Sequence, residues 1–228
     1  MAIKSLGTRR GRPRRLTVEQ VIQAAIELVS SNGVRAMTME AVARELGVGT
    51  MTLYGYVDSR DDLIDRAVAY LLTGAPAVPT AATGNWLETV VSHCLAARRW
   101  LVARPALLAL NAERPHLSDA IATRYAAELD GFVRIGFSVE DAAVLRHAIG
   151  VQLFGQIQWE EVRRAAARSG VLRDNRARAE EVSATIVAAS QVLIETDPEE
   201  LYERSLRALL TGFEHLLPVA RRTASTDD

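Results

Sequence analysis

The chain has 228 residues, of which 49% are apolar and 5% aromatic, and it is long enough to bury a substantial core. Its formal net charge is −1, and its single cysteine, Cys94, excludes an intrachain disulfide and a cysteine-based zinc site. The chain shows neither the apolar stretch of a signal peptide nor an apolar run of the roughly 18 to 20 residues that a membrane span needs. We therefore expect a cytoplasmic protein that makes no membrane contact.

The charge is distributed unevenly along the chain. Residues 1–16 carry six basic and no acidic side chains, whereas residues 17–228 carry a net charge of −7. We predict a disordered basic arm over 1–16 that attracts DNA phosphates, and its Gly-Arg-Pro-Arg stretch could enter an A·T-rich minor groove. A tail that adds only general attraction is an equally weighted alternative. The DNA-binding candidates in the arm are Arg9, Arg10, Arg12, Arg14 and Arg15.

The next segment, residues 17–73, has the pattern of a small helical DNA-binding domain. Apolar residues recur three and four apart, which predicts helices, and no segment alternates like a strand. The first helix should begin after a Thr17 cap and end before Asn32, the second should begin after a Thr38 cap, and the fourth should begin at Asp58 or Ser59 and stop at Gly74.

The third predicted helix, Thr50–Tyr56, follows a sharp turn at Gly47 and gives a helix-turn-helix layout. Leu53 and Val57 are spaced to point inward, and Thr50 could cap the helix. Gly55 would cost about 1 kcal/mol within a helix, which slightly favours a close approach of the backbone to DNA over a tolerated weakness. The residues left facing outward are the candidates for contacts to bases and phosphates. They are Thr50, Met51, Thr52, Tyr54, Gly55 and Tyr56.

The stretch TMEAVARELGVGTMTLYGYVDSRDDLIDRAV, within residues 17–72, resembles the DNA-binding segment of the TetR family of transcriptional regulators. Thr52, Leu53 and Tyr54 match the family's Thr-Leu-Tyr hallmark. By position, Arg60 matches its phosphate-clamping lysine and Thr38 matches its phosphate-contacting cap. Departures occur at Gly55 and at Tyr56-Val57, where many members have His-Phe. The resemblance implies a regulator, usually a repressor, that is controlled by a small molecule bound in a C-terminal domain.

The remainder of the chain predicts a larger helical domain, and the whole protein is predicted to be all-α with about nine to ten helices. Residues 74–84 read as a connector, 85–217 as a ligand-binding and dimerisation domain, and 218–228 as a flexible tail. Helical patterns cover 86–103, 105–112, 118–135, 139–169, 176–195 and 198–217. One short recognition helix is too small to specify a site alone, so we expect a homodimer that reads a palindromic operator in double-stranded DNA.

Dimerisation needs its own surface, and the helices at 139–169 and 198–217 are the best candidates. Their glycines permit close approach and their large apolar residues could fill the contact, although several of these could equally form the subunit core. The candidate dimer residues are Gly150, Leu153, Gly155, Leu206, Leu209, Phe213 and Leu216, with Gly212 as a further small residue.

Polar groups on apolar helix faces indicate where a small-molecule effector could bind. His93 shares a face with Trp86 and Trp100, His147 shares one with Phe154, and Gln152 and Gln156 interrupt an apolar run. Asn111, Tyr125 and Arg146 complete the set. For each residue, a hydrogen-bonded structural role is the alternative reading. Cys94 is predicted to be a small buried hydrophobe rather than a redox sensor.

Two other functions are compatible with a helical chain. A helical metal-carboxylate enzyme needs two Glu-x-x-His pairs, but the chain offers only Glu113 to His116 with Pro115 between them, and it has no nucleophile elbow, phosphate loop or cofactor motif. We therefore expect no catalysis and no cofactor. A DNA-binding dimer that has no small-molecule ligand stays open from the sequence alone.

Overall fold

The computed structural model describes residues 16–79, 85–113, 118–169 and 178–218. Residues 1–15 of the predicted basic arm, 80–84 of the predicted connector and 219–228 of the predicted tail lie outside these ranges. The described residues form helices and connecting turns without a strand, as predicted. The helices are α1 (Val18–Asn32), α2 (Met39–Glu45), α3 (Thr50–Leu53), α4 (Arg60–Leu72), α5 (Trp86–Val102), α6 (Pro105–Glu113), α7 (Asp119–Ile135), α8 (Val139–Ser169), α9 (Ala184–Glu195) and α10 (Pro198–Glu214). Residues 178–182 form a further helical turn.

Side-chain caps fix where several of these helices begin. Thr17 forms a full capping box with Gln20, Thr38 accepts a hydrogen bond from the Ala41 amide, and Ser59 accepts one from the Asp62 amide. Each side-chain oxygen satisfies an amide that the first helical turn cannot pair internally. The predicted caps at Thr17 and Thr38 are confirmed, and of the two alternatives for α4 the structure selects Ser59.

The third helix differs from its prediction in length and in its cap. It ends at Leu53, and residues 54–56 form a turn rather than a continuation to Tyr56. Gly49 is its N-cap and makes no side-chain bond, so the prediction that Thr50 caps the helix was wrong, and Thr50 is the first helical residue. Gly55 therefore lies beyond the helix, where the cost of a helical glycine does not apply.

The structure divides into two compact units, and the first contains α1 to α4 together with α6. Its core is apolar and includes Val21, Ala25, Val42, Leu63 and Ala67. Helix α6 packs against α1 and α4 and buries three apolar side chains there, which are Ala106, Leu107 and Leu110. The division at the connector, read from sequence, had placed this helix with the C-terminal domain, whereas its packing places it with the N-terminal helices.

The second unit contains the connector, α5 and the helices from α7 onward. Helix α10 packs against α5 and α8, and α7 packs against α8. Tyr202, Leu206 and Leu210 on α10 are fully buried. Helix α9 is different, because none of its residues is buried although most are apolar. No helix in the described part of the chain has the length and hydropathy that crossing a membrane requires.

Candidate DNA-reading surface and effector site

The turn between α2 and α3 sets the direction of the third helix. Gly47 has φ of +65°, a left-handed conformation that favours glycine, and its amide donates to the Arg44 carbonyl. The next amide, Val48, donates to Ala43 over 2.9 Å. These bonds end α2 and form the short turn that leads into α3, which is the connection of a helix-turn-helix.

Two buried side chains anchor α3 and its following turn, and the rest of the segment faces solvent. Leu53 and Val57 are essentially inaccessible, as predicted. Met51 is 82% exposed and Tyr54 is 47% exposed. Thr52 and Gly55 are also exposed, whereas Thr50 and Tyr56 are half-buried. The segment is thus anchored by two buried side chains and exposes a methionine, a threonine and a tyrosine to solvent.

Glycine at position 55 keeps the turn after α3 tight. Its amide donates to the Thr52 carbonyl over 3.2 Å, and a Cβ added to it would lie 3.3 Å from that same oxygen. A larger residue would have to push this carbonyl aside. Glycine at this position thus relieves a local crowding that does not depend on DNA.

Thr38 and Arg60 lie at the starts of α2 and α4. Thr38 is exposed, and its hydroxyl accepts a hydrogen bond from the Ala41 amide, so the hydroxyl proton stays available for a phosphate oxygen. The Arg60 guanidinium instead bonds within the protein. Its Nε donates to the Met37 carbonyl over 3.0 Å, and its Nη2 lies 3.1 Å from the Glu113 carboxylate. Arg60 thus joins the start of α4 to the residue before Thr38 and to the end of α6.

The folded part of the first unit has the wrong sign of charge for attracting DNA. Residues 16–73 contain four basic and eight acidic side chains, a net charge of −4. The arm candidates Arg9, Arg10, Arg12, Arg14 and Arg15 lie outside the described residues. Since Coulomb attraction to phosphates scales with the charge presented, the six cations of residues 1–15 outweigh this deficit.

The predicted effector residues occupy different environments in the structure. Trp86 is buried and packs edge-on against Phe137, with ring centroids 5.4 Å apart. Trp100 is half-buried beneath the Arg104 guanidinium. Gln152 donates to Ser205 and Gln156 donates to the Pro198 carbonyl, so both amides join α8 to α10. His147 is exposed, and Asn111 lies on α6 in the first unit.

His93, Tyr125 and Arg146 do come together, around two residues that sequence reasoning missed. Arg124 on α7 lies 3.1 Å from Glu128, and Arg146 on α8 lies 3.1 Å from the other oxygen of that carboxylate. The Arg146 guanidinium stacks on the Tyr125 ring, 3.2 Å from its centroid. The i,i+4 spacing of Arg124 and Glu128 was the available signal, although it is equally typical of a solvated helix face.

This polar cluster also holds the connector. The Arg124 Nη1 donates to the Pro76 carbonyl over 3.1 Å, and His93 is hydrogen-bonded to the backbone of Ala77. Burial lowers the pKa of His93, and the nearby Arg124 charge lowers it further, so the imidazole is neutral at pH 7. Two side chains of the second unit therefore bind the segment that follows α4.

A second polar network joins α5 to α8 and α10. Arg98 and Glu160 are each only 6% exposed and form an ion pair, and Arg98 also lies 3.6 Å from Glu199. Cys94 is buried, and burial raises the pKa of its thiol to about 12. A thiol of this kind holds its proton at neutral pH, which supports a packing role for Cys94.

The candidate dimer positions divide into core and surface. Leu153 and Leu206 are buried within the subunit, so they offer no surface to a partner and belong to the core alternative. Gly155 and Leu216 are exposed, and Gly150, Leu209 and Phe213 are half-buried. Added Cβ atoms at Gly150, Gly155 and Gly212 would meet nothing within 4 Å. The exposed side of α8 also carries large apolar side chains, which are Val144, Val151, Phe154, Trp159 and Val162.

Comparison with known proteins assigns both parts of the chain. Residues 21–67 match the family model for bacterial regulatory proteins of the tetR family, and residues 78–217 match that for the tetracyclin repressor-like C-terminal domain. An HTH-type transcriptional repressor of Mycobacterium tuberculosis is 28% identical over 173 residues, covering 72% of this chain and 65% of its own length. The chain thus matches slightly less than two thirds of that mycobacterial relative's length.

Other similar proteins extend over most of the chain. The class D tetracycline repressor protein of Escherichia coli is 26% identical over 205 residues, covering 88% of this chain and 90% of the repressor. The structure of the TetR family protein ActR of Streptomyces coelicolor in complex with actinorhodin superimposes with a TM-score of 0.76 at 23% identity, covering 90% of this chain and 98% of ActR. At that identity the superposition shows a shared fold. With family models that match both units, the chain belongs to the TetR family of bacterial transcriptional regulators, which are DNA-binding proteins rather than enzymes.

Proposed function

We propose that the protein is a ligand-responsive transcriptional repressor that acts in the cytoplasm, binds a palindromic operator as a homodimer and is released by a small molecule. The observation that carries the DNA-reading part is the contrast between Leu53 and Val57, which are buried, and the exposed Met51, Thr52 and Tyr54 beside them. An anchored segment with outward methyl and hydroxyl groups suits contacts in a major groove.

The residues proposed to contact the operator have distinct tasks. Met51 and Thr52 offer methyl and hydroxyl groups to base edges, while Thr50, Tyr54 and Tyr56 offer hydroxyls to phosphates. Thr38, at the start of α2, donates a hydrogen bond from its hydroxyl to a phosphate of the DNA backbone. Gly55 keeps the turn tight and contributes its backbone only. The arm supplies the cations that the folded reader lacks.

Arg60 is proposed to contact a phosphate as well as holding α6. In the structure its Nη2 is directed to Glu113, while Nε keeps its place on the Met37 carbonyl. A displacement of α6 would change how this guanidinium divides between Glu113 and DNA. Since α6 follows α5 after only two residues, such a displacement is a route from effector to operator, with α4 carrying the movement.

The exposed apolar side of α8 supports the homodimer. Isolated exposed apolar residues are ordinary, but a contiguous set of large ones along one helix marks an interaction surface. We propose that two copies pack α8 and α10 against each other, with Gly150 and Gly155 allowing close approach and Leu209, Phe213 and Leu216 at the edges. The two reading heads would then span half-sites roughly 34–36 Å apart.

The DNA-reading proposal is tested by selecting duplexes from a random library and measuring affinity by fluorescence anisotropy. Tyr54→Ala and Thr52→Ala should each weaken binding to the selected duplex about tenfold while leaving thermal unfolding unchanged. Tyr70→Ala is the matched control, because Tyr70 is also an exposed tyrosine but lies about 15 Å along α4 from Arg60. Equal losses in all three variants, or failure to select any duplex, would contradict the proposal.

The arm is tested by the salt dependence of that affinity. Deletion of residues 1–15 should weaken binding and flatten the log–log salt slope by roughly 0.9 for each phosphate that the arm neutralises in the intact protein. An unchanged slope would remove the arm from the mechanism.

The dimer is tested by sedimentation equilibrium. Val151→Glu places a charge on the proposed contact and should shift the protein toward monomer, whereas Val139→Glu changes an exposed valine at the start of α8 and should not. A wild-type monomer at micromolar concentration would contradict the proposal.

A further inference from the structure

The polar cluster of His93, Arg124, Tyr125, Glu128 and Arg146 has more positive than negative charge. Both guanidinium groups share the single Glu128 carboxylate, and among the described ion pairs neither has another acidic partner. The three charged side chains are about one-fifth exposed, so water screens them only partly. A partly buried group of net charge +1 is most stable when an anion completes it.

Two donors of this cluster are occupied by neutral backbone oxygens. Arg124 donates to the Pro76 carbonyl, and the neutral His93 pairs with the Ala77 backbone. A guanidinium binds a carboxylate more strongly than a neutral carbonyl, because the attraction between opposite charges adds to the hydrogen bond. A carboxylate that reached Arg124 would therefore compete well against the peptide carbonyl of the connector.

The face of α5 around His93 indicates the rest of the ligand. Trp86, His93 and Trp100 are spaced seven residues apart, which places them in one line along the helix. The indole nitrogens of Trp86 and Trp100 are buried and have no hydrogen-bond partner among the described residues. Val90 and Ala97 fill the same line with apolar surface. Such a surface suits an aromatic body that carries oxygen acceptors.

We propose that this cluster is the effector site and that the effector is an aromatic organic anion, whose carboxylate pairs with Arg124 and Arg146 in place of the Pro76 carbonyl. The inference rests on the proposed function, since it names the ligand class of a regulator. Loss of the Arg124 bond to Pro76 removes a side-chain bond that holds residues 74–79, which directly follow α4. Effector binding thereby reaches α4 through the connector, in addition to the route through α6.

The test uses the full chain with salicylate as the probe and salicylamide as its uncharged counterpart. Calorimetric titration should give a Kd of about 1 mM or tighter for salicylate and at least about tenfold weaker binding for salicylamide. Arg124→Gln and Arg146→Gln should each weaken salicylate at least about tenfold, whereas Glu128→Gln should tighten it by removing the competing carboxylate. Arg134→Gln, on the same helix about 15 Å from Arg124, is the matched control and should leave the affinity for salicylate unchanged.

Folding of every variant is checked by thermal unfolding, and Arg124→Lys and Arg146→Lys, which keep the charge, cover the case in which a glutamine variant fails to fold. Hydrogen exchange at residues 74–79 should rise when salicylate is bound. The proposal is overturned by absence of salicylate binding, by equal binding of salicylamide, by arginine variants that bind like the wild type, or by unchanged exchange in the connector.

The outcomes separate this inference from the proposed function. A protein that selects a duplex but ignores salicylate keeps the DNA-reading function and loses this site. A protein that binds salicylate in the charge-dependent way described, yet selects no duplex, keeps the site and loses the DNA-reading function.

Discussion

The two units of this protein fill their interiors differently. Every buried residue described in the first unit is apolar, from Val21 in α1 to Leu110 in α6, whereas the second unit buries the Arg98–Glu160 ion pair between α5 and α8. An apolar core has one well-packed arrangement, while a polar interior depends on partners that can be exchanged. The contrast suits the proposed roles, in which the first unit holds a fixed DNA-reading surface and the second responds to an effector.

Removing one partner of the buried ion pair should have the largest effect on stability. Arg98→Met leaves the Glu160 carboxylate buried without its main partner, and the free energy of unfolding should fall by about 3–5 kcal/mol in urea titrations. The double variant Arg98→Met/Glu160→Met removes both charges and should recover much of that loss. A double variant less stable than the single one would show that the second unit does not tolerate an apolar interior here.

Truncation of Leu53, the buried side chain that anchors α3, should have the next largest effect on stability. Leu53→Ala leaves a cavity beneath α3 and should lower the free energy of unfolding by about 3 kcal/mol, measured in the same titration. Met51→Ala, two residues away and exposed, should change it by less than about 0.5 kcal/mol while still weakening DNA binding. Similar stability losses in the two variants would mean that α3 is not anchored as described.

Loss of a helix cap should have a smaller effect on stability. Thr17 and Thr38 cap helices in the same way, but only Thr38 is proposed to contact DNA. Thr17→Ala and Thr38→Ala should each cost about 1 kcal/mol of unfolding free energy, because each removes the acceptor of a first-turn amide. Only Thr38→Ala should also weaken affinity for the selected duplex. An equal loss of affinity from Thr17→Ala would assign the Thr38 effect to helix stability alone.

An exposed ion pair should have the smallest effect. Glu88 and Arg207 join α5 to α10, and both are more than one-third exposed. Glu88→Gln should therefore lower the free energy of unfolding by no more than about 1 kcal/mol, and the difference should vanish at high salt. A loss as large as that of Arg98→Met would show that exposure does not separate the two networks.

The sequence predicted features that depend on neighbours along the chain. The caps at Thr17 and Thr38, the turn at Gly47 and the inward direction of Leu53 and Val57 are all set by residues within one or two helical turns. The same local reasoning extended α3 to Tyr56. It could not show that the Gly55 amide donates a hydrogen bond to the Thr52 carbonyl and so closes the turn early.

Features that depend on tertiary contacts could not be read in this way. Glu113, the partner of Arg60, lies 53 residues further on, and α6 reads as part of the domain with which it is contiguous. Gln152 and Gln156 looked like ligand contacts because polar groups interrupt an apolar face, yet their partners on α10 are more than 40 residues away. Arg124 and Glu128 were missed because an i,i+4 pair gives no sign that a third charge from α8 joins it.

The placement of α6 has a consequence for engineering chimeric regulators. Joining the first 73 residues to a foreign sensor would leave behind the helix that covers α1 and α4, and with it Leu107, Leu110 and the carboxylate that holds Arg60. Without α6, the apolar side chains of α1 and α4 that it covers would be exposed to water, and the start of α4 would lose one of the bonds that hold it. A working chimera must keep α6 or replace the exposed apolar side chains of α1 and α4 with polar ones. The connector is therefore not the place at which to divide this molecule.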